Sequence, residues 1–288
     1  MARQQSMGTP RLIVMPKAGR RQRHDRPAIQ PPTMMPKGEL QELQRKTETP
    51  QRTAIRKGGR AEPRDKEIIM SSMHTIELDC PQCRKKSPFT IHDSINVSLD
   101  PEDKEKVLDR SLFIFQCPHC GFESCVQYGS LYHDMTNKYM ISVCGDEETA
   151  RNSPIPDIGD TIHGKKLSML NDGYRFRTVV HFDGLAEKIS IFDAELDDFA
   201  VEFVKAVILK QANEVTRLYF TQIDESSIYF YAIFPDEEKN TGLSISRDVY
   251  DEAVKMLGEK SRKSKEQFIT PVIAATLCIQ GRTSELER

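Results

Sequence analysis

Two short motifs constrain this chain more than anything else in it. Cys80-Pro81-Gln82-Cys83 and Cys117-Pro118-His119-Cys120-Gly121 repeat one build, with 33 residues between them. The turn inside a C-x-x-C hook brings both sulfurs to one side, and two hooks supply four thiolates. Four soft, anionic ligands in a tetrahedron suit Zn²⁺ in a closed structural site. Cys80, Cys83, Cys117 and Cys120 are therefore the expected metal ligands, and structural zinc the expected cofactor. Pro81 and Pro118 fix φ at the second position of each hook. Gly121 permits positive φ after the second hook, whereas the first hook carries Arg84 there. No βαβ pattern surrounds either hook, which argues against a redox C-x-x-C.

Cysteine usage supports the same reading. There are seven Cys in 288 residues, an odd number, and no apolar segment of signal-peptide type near the start. A disulfide framework is not expected. Nor does any apolar run reach the roughly 18 residues of a membrane span. We expect a cytoplasmic protein with reduced thiols and no membrane partner.

Charge divides the chain. Residues 1–70 hold 16 Lys and Arg against 7 Asp and Glu, and the remainder holds 25 against 36. The first segment has no sustained apolar period and is broken by Pro31-Pro32 and Gly58-Gly59. It reads as a disordered basic tail. Lys66-Glu67 can be encoded by a purine-rich ribosome-binding sequence, so we expect translation to begin at Met70 or Met73. A native peptide spanning Arg20 to Lys37 would contradict that start. The acidic remainder disfavours broad electrostatic binding to nucleic acid.

Alternating residues from Thr75 to Leu78 predict a strand into the first hook. Phe89–His92 and Ile95–Val97 are further strands, and Leu112–Phe115 delivers Cys117. Between them Asp100-Pro101 opens a helix, with Asp100 as N-cap and Pro101 in the first turn. Val126–Tyr132 and Lys138–Val143 form another strand pair. Glu147 to Asp160, with Pro154, Pro156 and Gly159, predicts a linker or long loop. Then come a strand over 174–180, a helix from Asp183 through Leu185, Ile189 and Phe192, and a second helix from about Leu196 to Gln211. Leu218–Thr221 and Ile228–Phe234 are an antiparallel pair, Ser246 opens a short helix, Glu259–Lys265 is a charged connection, and Ile269–Ile279 returns as a strand. The expected class is α+β: an antiparallel zinc-ribbon module at 73–145, a linker at 146–173, a mixed helix and strand half at 174–280 and a tail at 281–288.

Other chemistry-bearing residues have competing explanations. His133-Asp134 is an enzyme-like pair, but neighbours on a strand face opposite ways, so a strand-end turn explains it too. His92 and His133 are candidates for a second metal site. Glu195, Asp197, Asp198 and Glu202 invite a divalent-metal reading; carboxylates solvated in a first helical turn, at the positive end of the helix dipole, are the reading we favour. Cys125 and Cys144 read as small core residues. Arg84, Lys85 and Lys86 could seed a nucleic-acid face on the ribbon.

The pattern Cys80-Pro81-x-Cys83, Asp100-Pro101, Leu112-Phe113-x-Phe115-x-Cys117-Pro118-x-Cys120-Gly121 and Tyr132-His133-Asp134 resembles the CpXC family of bacterial and archaeal proteins. Arg177-x-Val179, Leu185-x-Glu187-Lys188-Ile189, Leu196-Asp197-Asp198 and Glu202-x-x-Lys205 extend the resemblance, which covers roughly Met73 to Lys260. It implies the zinc-ribbon reading and no particular reaction. The function expected is a structural zinc-binding module that meets a protein partner or regulates one. The alternatives are an enzyme built on His133 and Asp134 or on the acidic group around Asp198, and a nucleic-acid-binding ribbon.

Overall fold

A computed structural model describes residues 13–14, 71–152, 172–258, 261, 264 and 266–277. The chain divides into two compact units, residues 27–182 and residues 1–26 with 183–288. Class and content follow the α+β expectation, with helices and three sheets.

In the first unit, β1 (Ser72–Asp79) and β2 (Lys86–Asn96) form a hairpin whose turn is the first Cys hook. α1 (Glu102–Leu108) follows. Its start differs in detail from the sequence expectation. Pro101 occupies the cap with φ −61°, without a side-chain cap bond. The Asp100 carboxylate instead accepts from Ser71 Oγ, which in turn accepts from Asn96 N–H. A single 3₁₀ turn, Ser111–Phe113, precedes β3 (Ile114–Gln116). β3 pairs with β4 (Glu123–Cys125) in a two-stranded sheet, and their turn is the second hook.

β5 (Ser130–Asp134), β6 (Tyr139–Cys144) and β7 (Arg175–Val180) complete a five-stranded sheet in the order β1-β2-β5-β6-β7. This sheet is mixed rather than antiparallel throughout, because β2–β5 and β6–β7 run parallel. β5 and β6 are buried along their whole length, as central strands covered on both faces should be. His133 and Asp134 thus lie within a strand, and the turn comes after them. The linker expected from Glu147 begins as α2 (Glu147–Asn152); residues 153–171 lie outside the described residues. Phe89, Phe113, Phe115, Tyr128 and Phe182 pack ring against ring, mostly edge to face.

The second unit holds most of α3 (His181–Asp193), then α4 (Asp198–Gln211). α3 starts two residues before the expected Asp183. It ends in a paired-bond stop: Leu196 N–H reaches Ile191 C=O and Glu195 N–H reaches Phe192 C=O. Glu195 takes the left-handed position of that stop, at φ +56°. Asp197 caps α4 by accepting from the N–H groups of Phe199 and Ala200. β8 (Arg217–Ile223), β9 (Ser227–Ile233) and β10 (Thr241–Ser246) form antiparallel pairs in the order β10-β9-β8. β10 had no counterpart among the sequence expectations. Ile13–Val14 pairs with Leu243–Ser244 at its edge; the rest of the expected tail lies outside the described residues. α5 (Arg247–Leu257) is capped by Ser246, as its sequence predicts. Residues 271–277 are helical, so the strand expected over Ile269–Ile279 is corrected. Most of Glu259–Lys265, Cys278 and the tail at 281–288 lie outside the described residues.

Candidate metal centre

Each hook closes with the same two backbone bonds. Arg84 N–H donates to Cys80 C=O at 2.8 Å and Gly121 N–H to Cys117 C=O at 2.9 Å. Cys80 N–H donates to Lys85 C=O at 3.0 Å and Cys117 N–H to Phe122 C=O at 2.8 Å. The residue after each second Cys has positive φ, +58° at Arg84 and +73° at Gly121. Arg84 therefore adopts the turn that Gly121 adopts freely, against a steric cost of about 1–2 kcal/mol for an L-residue.

The hooks face each other. The four Sγ atoms lie within 4.8 Å of one another. Cys80 Sγ is 3.6 Å from Cys120 Sγ, and Cys83 Sγ is 3.6 Å from Cys117 Sγ. Disulfide sulfurs sit about 2.05 Å apart, so these are free thiols. A regular tetrahedron with metal–sulfur bonds of about 2.3 Å has edges of about 3.8 Å. The cluster has that size, and four thiols are the donor set that a soft divalent ion takes. Among the described residues this is the one group of His, Cys, Asp or Glu side chains arranged to hold a metal ion. His92 and His133 do not add a second.

Cys80 and Cys117 are each 1% exposed and belong to an apolar cluster with Leu78, Phe89, Ile91, Phe115 and Val126. Cys83 is half-buried and Cys120 exposed. At Cys117 burial pushes the thiol up. The N–H groups of His119 and Cys120 and the neighbouring thiols outweigh it and bring the value down to about 6. At Cys120 the Phe122 N–H favours the thiolate, but burial and the neighbouring thiols push it up to about 12. Four thiols sharing so small a volume do not all ionise without a cation among them.

His119 lies exposed between Cys117 and Cys120. Arg84, Lys85 and Lys86 are exposed beside the first hook, but so are Glu77 and Asp79 on the paired strand. That surface is mixed in sign. Cys125 and Cys144 are buried, as expected of core residues.

His133 and Asp134 are both buried but serve different partners. His133 Nε2 is 3.3 Å from Tyr174 Oη. The Asp134 carboxylate accepts from Asn137 N–H and Nδ2, both at 2.8 Å, and fixes the turn after β5. Burial holds the His133 pKa below its ordinary value, with the Asp134 charge only partly opposing it. The pair forms no acid–base dyad.

The acidic group separates into three roles. Glu195 is exposed and Asp197 is a cap. Asp198 and Glu202, read from sequence as solvated, are 3% and 5% exposed. They meet cations instead of water. Lys188 Nζ lies 3.2 Å from Asp198 Oδ2 and 3.7 Å from Glu202 Oε1. Lys205 Nζ lies 3.0 Å from Glu202 Oε1 and 2.6 Å from Glu187 Oε1. Glu187 also accepts from the Phe220 N–H of β8. The result is a buried chain of five alternating charges across α3, α4 and β8. Lysines fill the positions that a divalent cation would need. The hydrogen-bonded carboxylates and two ammonium groups satisfy one another, as buried charges must.

A family model described as CpXC protein matches residues 78–205. That segment belongs to the CpXC family. The CpXC match takes in both hooks and ends at Lys205, so it also contains Glu187, Lys188, Asp198, Glu202 and Lys205. Comparison with curated proteins and with solved structures gave no match. Sequence reasoning quoted Glu187, Lys188 and Lys205 only as part of the family pattern. The signal that identifies them as a network is charged residues of opposite sign set among apolar ones on two consecutive helices.

Proposed function

We propose that this CpXC protein binds one Zn²⁺ through Cys80, Cys83, Cys117 and Cys120, and that the ion is structural. The observation that carries the proposal is the convergence of two matching hooks on a volume of tetrahedral size. Four protein ligands leave no open coordination position for a substrate or an activated water. Two of the ligands also lie inside the apolar cluster of their unit, where a metal ties β1–β2 to β3–β4. We assign the protein a non-catalytic role, as a cytoplasmic module that meets or regulates a protein partner. The separate partners of His133 and Asp134 and the lysine-filled acidic cluster support a non-catalytic reading. Among the described residues no helix is long and apolar enough to cross a membrane.

The test is metal content by mass spectrometry on the full chain purified under reducing conditions. One zinc per chain is expected, falling to near zero in Cys117→Ser with loss of folded structure by circular dichroism. A Cys117→Ser protein that stays folded without metal would refute the structural role.

A further inference from the structure

The four thiols are unequal in access, and that inequality gives the site a second chemistry. Cys80 and Cys117 are each 1% exposed, whereas Cys120 is exposed at the surface of its hook. Gln82 Oε1 stands 3.9 Å from Cys120 Sγ, across the hooks. The short contacts also have a particular pairing. Both 3.6 Å pairs run across the hooks, Cys80 with Cys120 and Cys83 with Cys117. Cys125 and Cys144 are buried and lie outside this group.

We propose that the centre is a redox-sensitive site in which a hydroperoxide oxidises Cys120 and Cys80 to a disulfide and so expels the metal. This rests on the metal reading above. The Cys120 thiolate attacks the terminal oxygen of the hydroperoxide; the S–O bond forms as a sulfenic acid, the O–O bond breaks, and an alkoxide leaves and takes a proton from water to become the alcohol (hydroxide, and so water, when the oxidant is hydrogen peroxide). The Cys80 thiolate then attacks the Cys120 sulfur; the S–S bond forms and hydroxide leaves, to be protonated to water. The two sulfurs have supplied the two electrons that reduce the peroxide. Access selects Cys120 as the first sulfur: a bound metal would hold all four sulfurs as thiolates, and of the four only Cys120 is exposed to the oxidant. Proximity selects Cys80 as the second, needing an approach of about 1.5 Å to reach the disulfide length. Only Cys83 and Cys117 then remain as thiolates, and two ligands do not retain a site built for four. The product still joins the two hooks through a covalent bond, so loss of the metal leaves the hairpins tethered.

The test uses the reduced, metal-loaded full chain, hydrogen peroxide, a chromogenic chelator and disulfide mapping by peptide mass spectrometry. Metal release should track a loss of two hydrogens in a cross-linked Cys80–Cys120 peptide pair. A thiol reductant should reverse it, and Cys125 and Cys144 should stay reduced. Cys120→His keeps a four-ligand set and should slow peroxide-driven release at least tenfold. A first disulfide within a hook, prior oxidation of Cys125 or Cys144, or wild-type release from a metal-loaded Cys120→His protein would each overturn the proposal. If that variant does not fold, the wild-type disulfide map decides. Reduced protein that takes up no metal refutes the metal reading instead. The Cys80–Cys120 pairing is then decided on the same metal-free chain.

Discussion

Replacing Lys205 with Met tests whether the five buried charges behave as one network. Lys205 is 4% exposed and touches two carboxylates, Glu187 at 2.6 Å and Glu202 at 3.0 Å. At an effective dielectric of about 20 each contact is worth a gross attraction of roughly 6 kcal/mol. Dehydrating the ammonium offsets much of that, so the intact network adds little beyond a well-packed apolar replacement. Removing one partner is another matter. Glu187 and Glu202 would then be buried without Lys205, and breaking a buried pair in this way costs about 3–5 kcal/mol. Met preserves most of the side-chain volume, which keeps a packing defect from contributing. With a urea dependence of about 1–3 kcal/mol per molar, the unfolding midpoint should fall by at least about 1 M. The pH dependence separates this cause from general damage. Burial raises the Glu187 pKa and the Lys205 charge opposes that rise. In the variant the opposition is gone and the folded-state pKa climbs further above the unfolded value of about 4.3. The folded variant then binds more protons than its unfolded chain, so it regains stability as pH falls from 8 towards 5. The deficit should therefore shrink on acidification. Lys106→Met, which breaks an exposed pair with Asp103, should leave the midpoint unchanged. A Lys205→Met loss below about 1 kcal/mol, flat with pH, would show that these charges are hydrated and would refute the network.

Arg84→Gly should stabilise the reduced protein by about 1 kcal/mol, read from the urea midpoint, because it removes an L-residue from φ +58°. Gly121→Ala should destabilise it by about the same amount through backbone conformation alone, since an added Cβ would meet nothing within 4 Å. Glu195→Gly, at φ +56° in the α3 stop, should again stabilise by about 1 kcal/mol. Metal retention should weaken progressively as pH falls, because protons compete with the metal for the four sulfurs, followed with a chromogenic chelator; retention that does not change with acidification would argue against thiolate ligands.

The Cys hooks were legible from sequence because their ligands are encoded locally. Each C-x-x-C is a complete half-site, and the repeat announces the other half. The strand before each hook, the Asp197 and Ser246 caps and the β8–β9 hairpin were legible for the same reason. What was missed depends on pairing between distant segments. The parallel joins β2–β5 and β6–β7 leave no mark in the alternation of either strand. The helix over 271–277 was read as a strand because a short apolar run fits either period.

The buried charges show most clearly where single-helix reasoning stops. In α4 the charged residues Asp198, Glu202 and Lys205 recur at i, i+4 and i+7, on one stripe of an otherwise apolar helix. On a surface helix that stripe is the face turned to water. Phe203 and Val207 are only half-buried, while Phe199, Val201, Val204 and Ile208 are buried. The helix thus turns its charged stripe inward together with most of its apolar face. Opposite it, α3 offers Lys188 to Asp198 and Glu202, and Glu187 to Lys205. Each carboxylate of this set meets an ammonium group, and each ammonium meets two carboxylates. Burial of the stripe becomes tolerable only because the second helix carries the complementary signs. Swapping Lys188 and Asp198 (Lys188→Asp with Asp198→Lys) keeps composition and the local 188–198 attraction. It also places an acid beside Glu202 in place of one of its two cations. If the chain is a network and not a set of independent pairs, the swap should lower the unfolding midpoint nearly as far as Lys188→Asp alone. Recovery of wild-type stability in the double variant would reduce the network to separable pairs.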